Sequence, residues 1–306
     1  MKFFQTTLAK LAKFFRGNTA GIIGTTIVGV IIIACLSAPL ITDNAPNKRV
    51  ARGHQPPSAE LILGSTRAGK DVYSQVLHGG RTSLFVAFSA ATVTTFIALG
   101  VGVTSGYFGG RADEILMAIT NVMLVFPQLP LLIVLAAFLG QVGPPVIALI
   151  LGLTSWPWGA RVMRSQTLAL KNKEFITAAE VMGEAKWRII VFEIIPNLIS
   201  LVAGMFVGAS LYAIGAQAGL EFLGLGDPTV VSWGTMLYWA QSSAAFLVGA
   251  WWDFIVPGTA VALMGGGLAL INISIDQVSN PKLRTGPYLK IWRRMRAQVE
   301  AKRRRD

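Results

Sequence analysis

At 306 residues, with 53% hydrophobic and only 14% charged positions, the chain has the composition of a membrane protein and not of a soluble domain. The formal net charge of +12 would suit a nucleic-acid binder, but the Lys and Arg residues flank apolar runs and crowd the C-terminus. That distribution excludes nucleic acid as the natural partner and fits a lipid surface. A single cysteine, Cys35, excludes an internal disulfide framework.

Residues 2–16 set Phe4, Leu8, Leu11 and Phe15 on one helical face, ringed by Lys2, Lys10, Lys13 and Arg16. The pattern reads as a cytoplasmic interfacial helix within residues 1–18, or as a basic tail. Gly21 to Ile41 is the first span, close to the roughly 20 residues that a bilayer requires. Ile32-Ile33-Ala34-Cys35 imitates a lipoprotein cleavage site, but the run is too long for a signal h-region and further spans follow.

Residues 42–80 are polar and carry Pro46, Pro56 and Pro57, as an outer loop would. Within them Gly64 to Lys70 imitates a phosphate-binding loop. Asp71 stands where a Ser or Thr would have to reach magnesium, and no buried strand precedes it, so the match is rejected. The second span is Thr82 to Tyr107, followed by a Gly-rich turn in which Asp113 and Glu114 fall in the first turn of the next helix and complement its dipole. The third span, Ile115 to Leu139, holds Phe126-Pro127 and Pro130, kinks that either shape a pathway or only serve packing. The fourth, Val146 to Val162, places Trp156 and Trp158 near the inner interface and ends on Arg161 and Arg164.

Residues 166–196 form the longest polar interruption. Glu174 to Asn197 reads as a helix, a glycine turn at Gly183, a second helix, and a stop or restart at Pro196. Ala178 and Ala179 are small enough to admit another surface, and Phe175, Val181, Met182 and Trp187 offer it apolar contacts. Lys171, Lys173, Lys186 and Arg188 hold the segment on the non-translocated side. The fifth span, Leu198 to Ala216, has Gly204, Gly208 and Gly215 at an expected packing seam. A second outer loop, residues 219–252, ends in a Trp-rich run in which Trp239, Trp251 and Trp252 suit an interface belt. The sixth span, Phe254 to Ile273, is ended by Asp276, and residues 282–306 are a strongly basic tail. That tail fits a helix on anionic lipid, a solvated tail, or a contact with another subunit. Lys48, Arg49, Arg52, Arg67, Lys70 and Arg81 are the only basic residues assigned outside, so both termini are cytoplasmic.

The segment Thr177-Ala178-Ala179, three residues, Gly183, then Ile195-Pro196 resembles the signature loop of bacterial binding-protein-dependent ABC importer permeases, with Thr177 where that family often has Glu. Three further stretches are similar to its oligopeptide and dipeptide (nickel) branch. They are Gly64-Ser65-Thr66 with Gly69-Lys70-Asp71-Val72, Gly219 to Gly226 with Ser232-Trp233-Gly234, and Pro281-Lys282-Leu283-Arg284. Lys70 replaces Arg, Thr66 replaces Asp, and Glu221 stands where a small residue is usual.

The resemblance implies an all-α integral membrane protein of the type I importer fold, six helices spanning residues 19–281, N-in and C-in, multi-pass in a bacterial or archaeal cytoplasmic membrane. It implies an ATPase-coupling site at Glu174, Phe175, Thr177, Ala178, Ala179, Gly183, Arg188 and Pro196. The partners implied are a homologous second permease, two cytoplasmic ATPase subunits, an extracytoplasmic solute-binding protein and membrane lipid. No catalytic residue, metal or cofactor is expected in this chain, ATP being bound by the partner subunits. The cargo implied is oligopeptides or dipeptides, with nickel chelates as another cargo of that branch and oligosaccharides as the alternative suggested by the wording around Asp227-Pro228-Thr229. A channel or secondary transporter would instead show intramembrane charges or a filter, and a membrane enzyme a cluster of acids or histidines.

Overall fold

The computed structural model describes residues 18–279. The expectations for residues 1–17, for Pro281 to Arg284 and for the basic tail lie outside the described residues. The described chain is helical: α1 (Thr19–Leu36), α2 (Ala38–Ile41), α3 (Val72–Phe108), α4 (Gly110–Val125), α5 (Gln128–Leu139), α6 (Pro144–Lys171), α7 (Glu174–Val181), α8 (Lys186–Arg188), a π-helical turn (Ile189–Ile194), α9 (Ile195–Phe222), α10 (Trp233–Ser242) and α11 (Trp252–Ser279).

Five apolar segments are long enough to cross a membrane: α1, α3, α6, the continuous run Lys186–Phe222, and α11 over Trp252–Gln277. The expected third span is a bent pair, α4 and α5, meeting at 84°. The bend follows from Pro127. The residue before a proline is pushed out of the helical region, and Phe126 has ψ 126° while Pro127 itself has ψ 120°. Two extended residues in succession stop one helix and start another.

Most helices outrun their expected limits. α3 begins at Val72, not Thr82, because the Asp71 carboxylate accepts from the N–H groups of Tyr73 and Ser74 and caps the helix early. Its 37 residues reach about 55 Å, well beyond a hydrocarbon core, so both ends project into water. α6 runs to Lys171, which leaves Trp156 and Trp158 in mid-helix and not at the inner interface. α11 continues past Asp276 to Ser279. The second outer loop contains a helix of its own, α10, whose Ser232 and Thr235 form a reciprocal capping box.

α3 is the central element and packs most closely along α6. Small residues permit the approach: a Cβ at Gly102 would collide with the Met163 Cβ and meet the Ala160 carbonyl at 2.6 Å. α1 meets α11 in the same way, at Gly24 and Gly267. Asn18 caps α1 through the Gly21 N–H and donates to Ser274 of α11. The expected seam on α9 is different. A Cβ on Gly204 or Gly208 would meet Asn272 of α11 in ordinary contact at 3.7 Å, so these two face α11 without a tight joint, and among the described residues nothing lies within 4 Å of a Cβ on Gly215, which alone is open.

The outer side is closed by tryptophans. Trp233 is buried and donates from Nε1 to the Val76 carbonyl 2.9 Å away, seating α10 on α3. Trp252 is also buried and donates to the Ser65 carbonyl at 3.1 Å, so it pins the first outer loop and does not belong to the interface belt. Trp239 and Trp251 are half exposed, as the belt reading requires.

Candidate functional site: a cytoplasmic ledge and an inner cavity

α7 is a short helix standing on its own apolar footing. Ile176 and Ala179 are buried beside Val103, Tyr107, Met163, Ile189 and Leu198. Tyr107 Oη braces it against α3 by donating to Glu180 Oε1 at 3.1 Å, and Lys171 Nζ at the end of α6 donates to the Tyr107 carbonyl at 2.7 Å. The helix ends in a Schellman turn. Gly183 N–H donates to the Glu180 carbonyl and Glu184 N–H to the Ala179 carbonyl, with Gly183 at φ 79°. Only glycine enters that region without strain.

The two alanines read together in the sequence are separated by the structure. Ala179 faces the chain's own core, and Ala178 faces out. The outward surface carries Glu174, Thr177, Ala178, Val181 and Met182, which with Asn172 border a shallow groove. Phe175, Val181, Met182 and Trp187 are exposed at this end, Val181 by 82%. Covering such side chains is worth about 1.5–3 kcal/mol each, so a partner surface has much to gain here. Arg188 belongs to the same end but pairs with Glu184 at 3.7 Å and lies over the Phe192 ring.

Pro196 neither stops nor restarts the chain. It sits in the second position of α9, whose axis continues from Lys186. A proline ring crowds the carbonyl four residues back and offers no N–H to it. The preceding π-helical turn absorbs this, with Ile195 N–H donating to the Ile190 carbonyl five residues away. The ledge is therefore joined directly to a long membrane helix.

Above the ledge lies a cavity of about 890 Å³ between α3, α5, α6, α9 and α11. Its wall mixes polar and small residues, among them Gln128, Ser155, Gly204, Gly208, Tyr212 and Asn272. Gln128, immediately after the bend, donates to Ser155 Oγ at 2.8 Å and fixes α5 on α6. The α4 end is held by an ion pair in which Arg164 Nε and Nη2 donate to the two Asp113 oxygens at 2.5 Å each. Asp113 thus serves a partner on α6 as well as the helix dipole. Of these bracing groups, Tyr107, Glu180 and Gln128 carry no sequence pattern that marks them.

The false phosphate loop is built into the outer wall. Lys70 donates to Asn47 Oδ1 at 2.8 Å, and isolated bridges pair Arg49 with Lys70 and Ser65 with Asp71.

Residues 98–285 match the family model described as binding-protein-dependent transport system inner membrane component. The chain belongs to that family. It is accordingly a multi-pass inner-membrane permease, a transport component with no catalysis of its own assigned to the family. Among its relatives, a putative peptide transport system permease protein of Brucella suis is 32% identical over 268 residues, 86% of this chain and 88% of that one. The dipeptide transport system permease protein DppC of Alkalihalophilus pseudofirmus is 32% identical over 283 residues, 89% of each chain. The oligopeptide transport system permease protein OppC of Bacillus subtilis is 29% identical, covering 88% of each. In fold, the permease resembles a chain of the MetNI methionine ABC transporter in inward-facing form, with TM-score 0.52 over 68% of this chain and 96% of that one, at 19% identity. That likeness establishes the type I importer fold.

Proposed function

We propose that this permease forms half of the translocation pathway of an ATP-driven importer of short peptides. The observation that carries the peptide reading is full-length similarity: relatives about 30% identical over nearly nine-tenths of both chains are named as peptide, dipeptide and oligopeptide permeases. The partners are a homologous second permease, two cytoplasmic ATPase subunits that bind and hydrolyse ATP, and a solute-binding protein.

In this reading the outward face of α7, with Glu174, Phe175, Thr177 and Ala178, docks on the ATPase. Ala179 and Ile176 carry the load into α3 and α6, and Gly183 sets the angle between α7 and the Lys186–Phe222 helix. Arg188 and Pro196 lie on the continuous path to the cavity wall at Gly204 and Gly208. Movement of the ledge would then be movement of the wall.

The test is uptake of labelled trialanine by cells carrying the whole transporter, with and without this chain. Loss of uptake on deletion and its return on complementation supports the reading. Uptake of labelled maltotriose in place of the peptide would move the assignment to oligosaccharides.

A further inference from the structure

The outer side carries a second cleft, of about 690 Å³, that the ledge and the inner cavity do not use. One wall is the first outer loop, contributing Thr66, Arg67 and Lys70. The other is α10 with the turn before it, contributing Thr229 and Trp239.

The loop wall is a fixed turn. Gly69 has φ 73°, and a Cβ there would collide with the Ala51 carbonyl. Lys70 N–H donates to Thr66 Oγ1 at 3.2 Å, and the bridges at Lys70 and Asp71 close the turn on both sides. Two cations are therefore presented from rigid backbone. Among the described residues neither Arg67 nor Lys70 has a carboxylate within ion-pair distance. Lys70 spends one donor on Asn47 and keeps two. Among the described residues the one acid on the lining, Asp253, is 6% exposed; it accepts the Arg67 backbone N–H and lies 3.5 Å from His54 Nδ1, so it reaches the backbone of the turn and makes no ion pair with either cation. The opposite wall is equally fixed: Trp239 donates from Nε1 to the Pro228 carbonyl at 3.1 Å, which leaves its half-exposed ring as a platform.

We propose that this cleft is a carboxylate subsite for the incoming solute, taking the C-terminal carboxylate of a short peptide at Arg67 and Lys70 and the adjacent side chain on the Trp239 ring. The assignment rests on the peptide reading above and sharpens it. A neutral oligosaccharide could stack on Trp239 but would leave both cations without a partner.

The experiment uses the full chain in phosphatidylcholine nanodiscs, without the solute-binding protein, and saturation-transfer NMR of trialanine against its C-terminal amide. Removing one charge-assisted hydrogen bond weakens binding by about tenfold, so the acid is expected to bind at least about tenfold more tightly than the amide. Arg67→Gln with Lys70→Gln should erase that preference, while Trp239→Ala weakens acid and amide alike. Size-exclusion profile and melting temperature of each variant report that it is folded. Equal binding of acid and amide, no binding of trialanine, or a preference that survives the double substitution overturns the subsite. So does loss of trialanine binding when phosphatidylglycerol is added to the discs, which would assign the cations to a lipid phosphodiester. The two readings fail separately: peptide uptake with no acid preference removes only the subsite. An acid preference without peptide uptake keeps a carboxylate site and removes the peptide importer.

Discussion

Asp113 and Arg164 carry the most exacting polar contact among the described helices, a two-point ion pair between the start of α4 and the cytoplasmic half of α6. Both side chains are partly exposed, so solvent screens the pair, and its geometry is what gives it weight. Asp113→Ala is expected to cost about 1–3 kcal/mol, read as a lower melting temperature of the detergent-solubilised transporter. The exchange Asp113→Arg with Arg164→Asp should restore part of it. Glu221 makes a second prediction. It is buried and accepts from Ser232 Oγ and Gln217 Nε2, tying α9 to the cap of α10. Glu221→Ala would strand the Gln217 amide at about 1–3 kcal/mol and leave Ser232 Oγ only Thr235 Oγ1 to donate to, and limited proteolysis from the outer side should then cut near α10, whereas Glu221→Gln should stay resistant. His54 sets a pH dependence. Burial, then the Arg67 cation, hold its imidazolium below the usual range. An unfolded histidine takes up its proton as pH falls through about 6.5, while the folded one resists, so the contribution of His54 itself to stability falls below that pH. The difference in hydrogen exchange of residues 42–71 between the parent and His54→Gln isolates it, and that difference should shift in favour of His54→Gln between pH 7.5 and 5.5.

At the scale of elements, the sharpest test is the turn at Gly183. Among the described residues nothing lies within 4 Å of a Cβ there, so Gly183→Ala meets strain without a clash and should cost about 1–2 kcal/mol. Gly183→Pro cannot adopt φ 79° and also removes the N–H that closes the turn. It should leave the protein inserted but separate ATP hydrolysis from uptake, and unchanged uptake would remove α7 from the coupling path. These elements also show what could be read in advance. The helix, Gly183 turn and second helix were legible because glycine and the apolar spacing leave few alternatives. The opposite facing of Ala178 and Ala179 was not, since it depends on which side of α7 meets α3. Asp71, Ser232 and Thr235 extended or created helices because caps act on backbone groups that hydropathy does not register. Trp233 and Trp252 look like belt residues by type, and only their Nε1 partners, carbonyls of distant segments, place them inside.

For the whole molecule, the open position Gly215 on α9 separates internal packing from assembly. Gly102 is a joint within the chain, and Gly102→Val should abolish stable expression because Met163 and Ala160 leave no room. Among the described residues no other segment lies within 4 Å of a Cβ on Gly215, so Gly215→Leu should insert and fold. If the proposed second permease packs at Gly215, the same variant should fail to copurify with it, which affinity purification and mass spectrometry would show. The five long apolar helices of the described residues were countable from hydropathy, but the 84° break in the expected third span was only hinted at by Pro127, because proline position gives a bend and not its size.

The π-helical turn at Ile189–Ile194 has a consequence for the chain's own arithmetic. It is one residue longer than an ordinary turn needs, so everything on its cytoplasmic side is out of phase with everything on its membrane side by about 100°. Removing a single residue within it would leave an unbroken rod and yet swing α7 around the axis by that amount. The permease would be built of the same parts, wound to a different hour.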